Sequence, residues 1–185
     1  MNSQPLLWGD EKEKLKAIYK FFLKLPEFFG VECIDKQKIL ILGSYSKETI
    51  PKWKVSPRQI LELIKEHLNS KENVIAFLLE DVVEFFGEDL INKFYVLASA
   101  VNKILTIIES NEAGYIIGIG HILELGIIIA KKELAHKTTI YLRQRTKLSG
   151  MLDAAFVDHY FERNEKVFFF SNLDDLKAII DSNVV

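Results

Sequence analysis

Apolar runs alternate with amphipathic stretches along most of the chain. Five runs rich in apolar residues predict strands: KILIL, NVIAFLL, ILTIIES, TTIYL and KVFFF, which begin at Lys38, Asn73, Ile104, Thr138 and Lys166. The first run has no polar alternation, which indicates a strand buried on both faces, as in a parallel sheet. Because predicted helices separate the runs with short connections, the pattern predicts an α/β fold. We expect a flavodoxin-like, doubly wound sheet of about five mainly parallel strands with helices on both faces.

Helical patterns precede, separate and follow these runs. The first helix has Asp10 as its N-cap and is expected to end at Pro26. Ser56 and Pro57 are a typical N-cap and first helical residue, and their helix runs to Asn69. Further helices are predicted at about 88–103, 121–135, 149–161 and 173–182. Residues 1–35 therefore form an N-terminal helical extension, and residues 36–185 form a single α/β domain.

Composition narrows the classes of partner. The 185 residues are 49% hydrophobic and 27% charged, with a formal net charge of −2. Such a chain is globular, and its charge gives no field that favours nucleic acid or an anionic membrane. The single Cys33 excludes an internal disulfide and fits a reducing cytoplasm. The N-terminus lacks a signal-peptide pattern, and the most apolar window, 114–130, is too short for a membrane span. We expect a cytoplasmic protein.

The most informative stretch runs from Ile104 to Ala130, where a predicted strand leads through a Gly-rich turn into a very apolar helix. Glu124 is a carboxylate early in that helix, which we expect to be buried in the core. Burial would raise the pKa of its carboxyl group and a helix N-terminus would lower it; either balance suits a nucleophile or an acid–base catalyst. The alternative is a capping-box glutamate that accepts a hydrogen bond from a backbone N–H.

Other polar residues follow the predicted strands, at the edge where parallel sheets bind ligands. Gly43, Ser44 and Tyr45 offer N–H groups and hydroxyls to a phosphate or a sugar. Further candidates at this edge are Asp81, Asn111, Glu112, Gly118, Gly120 and His121. One of the acids could position the sugar while another acts as general acid or base. The glycines would allow a ligand or a neighbouring helix to approach the backbone closely. The histidine is three residues before Glu124, within pairing distance on a helix.

Several common motifs are missing from the sequence. The turn after the first strand is not a Walker A loop, and neither Gly-containing turn carries GxGxxG. There is no HExxH and no Cys/His cluster, so we expect no metal and no cofactor. The polar loop 46–55 contains Trp53, which is either a lid residue or an anchor that packs the loop down.

Three of these places together resemble the nucleoside 2-deoxyribosyltransferase-like superfamily, over about residues 38–142. ILILGSY is similar to the family's first strand and its Gly-x-Tyr/Phe turn, which contacts the nucleoside. GIGHILELG is similar to the family's turn into a Glu-x-Gly helix, and this resemblance implies that Glu124 is the nucleophile. Asp81 stands where the family often has an acid that binds the sugar or supports catalysis.

The chain also departs from that family. It has Asn111 and Glu112 where an Asp is usual, and Leu123 where an aromatic or small residue is usual. TIR-type NAD hydrolases share the flavodoxin-like plan and a catalytic Glu on a comparable helix, which makes them the nearest competing resemblance.

The resemblance implies a nucleoside or nucleotide ligand and an enzyme that cleaves or transfers an N-glycosidic bond. It also implies a homodimer or a higher homo-oligomer. Two alternatives stay open: a non-catalytic nucleotide-binding or sensing module on the same fold, and a TIR-like NAD glycohydrolase. An interaction protein, in which the Phe-rich N-terminal helix is an oligomer surface, is a further alternative.

Overall fold

The computed structural model describes residues 11–29, 34–51, 53–85, 90–118, 120–147 and 166–184. The strands within these ranges are β1 (Gln37–Gly43), β2 (Val74–Leu78), β3 (Lys103–Ile108), β4 (Thr138–Arg143) and β5 (Val167–Phe170). The helices are α1 (Glu11–Phe29), α2 (Pro57–Asn69), α3 (Leu90–Ala100), α4 (Gly120–Ala130), α5 (Lys132–Ala135) and α6 (Leu173–Val184), with a 3₁₀ segment at Leu79–Phe85. The predicted N-cap Asp10 and the predicted helix at 149–161 lie outside the described residues.

The five strands form one parallel sheet in the order β2-β1-β3-β4-β5. Leu40 in β1 pairs with Phe77 of β2 and with Ile104 of β3. This is the flavodoxin-like order, so the predicted doubly wound fold is confirmed. The chain builds β2 on one side of β1 and then adds β3, β4 and β5 on the other side. Ligands of such sheets bind at this switch point between β1 and β3, beyond the carboxyl ends of the strands.

Apolar side chains cover both faces of the sheet. One face packs against α2 and α6, whose buried residues are Ile60, Leu61, Ile64, Leu68, Leu176 and Ile180. The other face packs against α1, α3, α4 and α5, whose buried residues include Leu25, Leu97, Leu125, Ile128 and Leu134. No helix in the described ranges is long and apolar enough to cross a membrane. Because helices cover both faces, the carboxyl edge of the sheet is where side chains can reach a ligand.

The first helix continues through Pro26, so the predicted end at that residue is wrong. Pro26 lies in the last turn of this helix, where its missing N–H removes one backbone hydrogen bond but does not require the helix to end. Leu25 holds the end of α1 against the core, because its side chain is only 1% exposed.

The helix that carries Glu124 differs from its prediction in two respects. The predicted single helix over 121–135 breaks at Lys131, whose extended backbone (φ −120°, ψ 102°) separates α4 from α5. The expectation of a helix buried in the core is also wrong, because Leu125 and Ile128 are buried whereas Leu123 is 72% exposed. A helix in an outer layer buries only the side that faces the sheet, whatever the composition of its other side.

Candidate functional site at the switch point

Polar groups that follow three neighbouring strands lie together at the switch point. Tyr45 follows β1, Leu79 follows β2, and Glu124 lies in the second turn of α4, after β3. The Leu79 N–H donates a hydrogen bond to the phenol oxygen of Tyr45 at 3.3 Å. Burial raises the pKa of Tyr45, and the nearby charge of Glu124 raises it further. We call Ser44, Tyr45, Gly118 and Glu124 the switch-point site.

The carboxyl group of Glu124 is largely withdrawn from solvent. Its Oε2 atom is buried and has no hydrogen-bond partner among the described residues. Burial raises the pKa of Glu124 to about 7, because removal from water disfavours the charged form. Since α4 begins at Gly120, the capping-box position is Ile122 and not Glu124. The capping interpretation therefore does not fit, and Glu124 is a buried acid beside a phenol.

Close backbone contacts fix the turn after β1 against the loop that leads to α4. Gly118 has a positive φ of 86°, and a Cβ atom there would lie only 2.8 Å from the Cβ atom of Ser44. The Ser44 hydroxyl accepts a hydrogen bond from the Ser46 N–H at 3.2 Å. A Cβ atom at Gly43 would lie 2.8 Å from the carbonyl oxygen of Ile107 in β3. Both glycines thus permit the close packing that positions this turn at the sheet edge.

The acids after β2 are held by basic residues of α2. Asp81 accepts hydrogen bonds from the Leu78 N–H at 2.8 Å and from the Lys65 ammonium group at 3.2 Å. Glu80 forms an ion pair with Arg58 at 2.5 Å. The charges of both acids also raise the pKa of the nearby Tyr45 phenol. Asp81 therefore links β2 to α2, and its catalytic role stays a prediction.

Asn111 and Glu112 lie in the loop after β3 and line a different cleft. The Asn111 side chain accepts a hydrogen bond from the Tyr115 N–H at 2.9 Å, which closes this loop. The cleft has a volume of about 320 Å³, and its wall also contains Arg143 but no member of the switch-point site. The predicted roles of Asn111 and Glu112 at Glu124 therefore gain no support from these contacts and stay predictions.

Two further candidates lie at the start of α4. Gly120 is its first residue, whereas the side chain of His121 lies outside what the structure describes. The pairing of His121 with Glu124 stays a prediction. Within the described ranges, no three His, Cys, Asp or Glu side chains are grouped so that they could hold a metal ion.

The buried pair of Glu109 and Arg143 was not predicted from the sequence. Glu109 follows β3 and is 1% exposed, and Arg143 ends the neighbouring strand β4 and is 8% exposed. Arg143 Nη1 lies 3.6 Å from Glu109 Oε2. Burial raises the pKa of Glu109 to about 7, although the charge of Arg143 opposes this shift. The sequence places these two opposite charges at the ends of two apolar runs, which is the only local sign of a pair. The strand order of the sheet then makes the two residues neighbours.

Trp53 packs against the same arginine. Its ring centroid lies 4.3 Å from the Arg143 guanidinium carbon and 5.9 Å from the Phe170 ring centroid. These contacts favour the interpretation that Trp53 anchors the loop 46–55 over a lid role.

Comparison with protein-family models finds no match to this chain, and comparison with curated proteins finds none either. The fold and the side chains described above define the class of protein: a flavodoxin-like α/β protein with a buried acid and a phenol at its switch point. Its function must be argued from that site, because one fold serves many functions.

Glu124→Gln is expected to stabilise the fold at alkaline pH. The pKa of Glu124 is about 7 in the folded chain, against an ordinary value of 4.5. Between about pH 4.5 and pH 7, Glu124 is ionised in the unfolded chain but still protonated in the folded chain. The free energy of unfolding of the wild type therefore falls as pH rises through this range and stays reduced above about pH 7. The shift corresponds to on the order of 3 kcal/mol. Urea unfolding of both proteins at about pH 4 and about pH 8 measures the difference.

Glu66→Gln is the matched control, because Glu66 is an exposed helical glutamate. Its free energy of unfolding should stay within about 0.5 kcal/mol of the wild type. A Glu124→Gln variant that gains no stability at the higher pH would contradict the burial of an acid at this position.

Proposed function

We propose that the switch-point site binds a nucleoside or nucleotide, and that Glu124 cleaves or transfers its N-glycosidic bond as the nucleophile. The observation that carries this proposal is the buried Oε2 atom of Glu124, which has no partner among the described residues and lies near the Tyr45 phenol. A buried carboxyl oxygen without a hydrogen-bond partner costs stability, and such groups cluster at functional sites. Its place beyond β1 and β3 supports a role in ligand binding.

In the proposed reaction, a carboxylate oxygen of Glu124 forms a bond with the anomeric carbon of the sugar. The bond from that carbon to the base nitrogen breaks, and the base leaves with the electron pair and takes up a proton from solvent. Water or a second base then attacks the anomeric carbon and loses a proton to solvent, and the bond from that carbon to the Glu124 oxygen breaks, which releases the carboxylate. The transition state has oxocarbenium character, and a carboxylate held close to it stabilises the developing positive charge.

Tyr45 is the proposed positioning residue. Its phenol oxygen accepts a hydrogen bond from the Leu79 N–H, and its raised pKa keeps the phenol protonated near neutral pH. The phenol can therefore donate its hydrogen to a sugar hydroxyl or to the carboxylate of Glu124. Ser44 offers a second hydroxyl at the same turn.

The proposal is tested by chromatography of the purified protein after incubation with nucleosides, deoxynucleosides, their monophosphates and NAD. Release of free base from one of them is the expected result. Release of nicotinamide from NAD alone would favour the TIR-like alternative. A folded protein that binds one of these compounds without releasing base would be a binding module, and the catalytic proposal would then be rejected.

The exposed side of α4 supports a homodimer as the proposed assembly. Leu123 is 72% exposed, and Gly126 and Ala130 are exposed on the same side of the helix. Among the described residues, no atom lies within 4 Å of the position that a Cβ atom at Gly126 would take, so a helix of a second copy could approach closely.

Leu123→Asp is therefore expected to convert a dimer into a monomer in sedimentation experiments, because it places a charge in the proposed interface. A wild-type protein that is monomeric at the same concentration would contradict this assembly. So would a dimer that the substitution leaves unchanged.

A further inference from the structure

A second cleft opens at the carboxyl ends of β3, β4 and β5, away from the switch-point site. It has a volume of about 320 Å³. The residues after β3 contribute Ser110, Asn111, Glu112 and Gly114, those at the end of β4 contribute Arg143, Gln144 and Arg145, and Ser171 follows β5. Two arginines and one glutamate are the charged residues among them, so the wall of the cleft has a net positive charge.

Arg143 is built into this wall. Its side chain is buried, and Nη1 donates a hydrogen bond to the carbonyl oxygen of Ser110 at 2.6 Å. The guanidinium carbon lies over the Trp53 ring, 4.3 Å from the ring centroid. A guanidinium group has five N–H donors in a rigid fork, and the hydrogen bonds within the described residues use only Nη1. Arg143 is therefore fixed in orientation and retains donors for a ligand.

Glu109 lies behind Arg143 and does not line the cleft. Neither of its carboxyl oxygens has a hydrogen-bond partner among the described residues, and the nearest arginine nitrogen is 3.6 Å away. Burial raises the pKa of Glu109 to about 7, so a substantial fraction is neutral at neutral pH. The acid therefore balances the charge of Arg143 only in part.

A strained turn brings the second arginine to the cleft. Arg145 has a positive φ of 70°, and a Cβ atom at Gly114 would lie 2.7 Å from its carbonyl oxygen. The Lys147 N–H donates to the carbonyl oxygen of Gly114 at 2.7 Å and ties the same turn to the loop after β3. A left-handed backbone at a residue other than glycine costs stability and is typical of functional sites.

Two acids lie near these arginines. Glu112 is in the wall of the cleft and is exposed. Asp175 is behind Ser171 and accepts its hydroxyl hydrogen at 2.9 Å. Asp175 thus engages Ser171, and neither acid forms an ion pair with Arg143 or Arg145 among the described residues.

We propose that this cleft binds the oxyanion group of a small ligand, a phosphate or a carboxylate, with Arg143 as the principal partner and Arg145 as the second. The planar fork of an arginine matches the geometry of both oxyanions, and a charge-assisted hydrogen bond from a fixed donor is stronger than one between neutral groups. This inference does not depend on the proposed glycosidic chemistry.

Trp53 allows a direct test, because the ring contacts Arg143. Tryptophan fluorescence is followed while inorganic phosphate or malonate is added at constant ionic strength, with chloride as the reference anion. A saturable change with one of the two is expected, and the anion that binds more tightly identifies the ligand class. In Trp53→Phe the anion-dependent change in fluorescence should disappear. The fluorescence of Trp8, the other tryptophan of the chain, should remain.

Variants then locate the site. Arg143→Gln should weaken binding about tenfold or more, and Arg145→Gln about threefold, because each loses charged donors. Arg58→Gln is the matched control with unchanged affinity, because Arg58 lies on α2, pairs with Glu80 and does not line this cleft. If Arg143→Gln fails to fold, Arg143→Lys keeps the charge without the fork and should also weaken binding. No saturable binding, or equal affinity in all these arginine variants, would overturn the proposal. The fluorescence titration does not depend on base release. Failure of the oxyanion proposal can therefore be distinguished from failure of the proposed glycosidic chemistry.

Discussion

Glu124→Gln is expected to slow base release by about 10⁴-fold or more while ligand binding is retained. Glutamine has nearly the shape of glutamate, but its amide cannot form the bond to the anomeric carbon that the proposed mechanism requires. Because the wild-type carboxyl group is buried with its pKa raised to about 7, the substitution should not weaken the fold. Rate and affinity measured separately on the same substrate show whether only turnover is lost.

Glu66→Gln serves as the control for this loss, because Glu66 lies exposed on α2. It should release base at the wild-type rate. Equal rates for Glu124→Gln and the wild type would remove Glu124 from the chemistry and leave it as a buried structural acid. A parallel loss of affinity and rate would instead assign Glu124 to ligand binding.

Gly118→Ala is expected to destabilise the fold by about 3 kcal/mol, the sum of two costs. The left-handed backbone at φ 86° is unfavourable for alanine. The new methyl group would also lie 2.8 Å from the Cβ atom of Ser44 and even closer to its hydroxyl oxygen. Either the turn after β1 or the loop before α4 must then move, so base release should fall as well. Urea unfolding measures the stability loss.

A double-mutant cycle separates the two costs. Ser44→Gly removes both atoms that the alanine methyl group would strike, so in that background Gly118→Ala should cost only the left-handed backbone term of about 1–2 kcal/mol. An equal cost in both backgrounds would show that the contact between Ser44 and residue 118 does not hold the site together.

The sequence predicted the elements whose signals are local. Ser56 is the N-cap of α2 as expected, because its hydroxyl accepts from the Gln59 N–H and the Gln59 side chain accepts from the Ser56 N–H. β1 extends one residue beyond the predicted run at each end. The end of α1 was misjudged because a proline in the last turn of a helix removes only one backbone hydrogen bond and does not require the helix to end there. The burial of α4 was misjudged because its apolar residues do not reveal which side faces the sheet.

In the candidate site, too, some residues could be predicted from local signals and others could not. Tyr45 and Glu124 could be assigned to one edge because parallel strands end there and the switch point lies between β1 and β3. Glu109 and Arg143 could not be paired, since their contact depends on β4 lying beside β3. Asn111 and Glu112 were expected near Glu124, but the loop that they begin turns toward the β3–β5 side of the sheet edge. Strand order and loop direction are properties of the whole chain and leave no local signal.

The most direct test of the proposed covalent mechanism is the mass of the protein quenched in acid during turnover of the substrate that the chromatographic assay identifies. We expect one sugar group attached to the peptide that contains Glu124, and no such peptide in Glu124→Gln. Base release by the wild type with the sugar attached to a different residue would contradict it. So would release by Glu124→Gln at the wild-type rate.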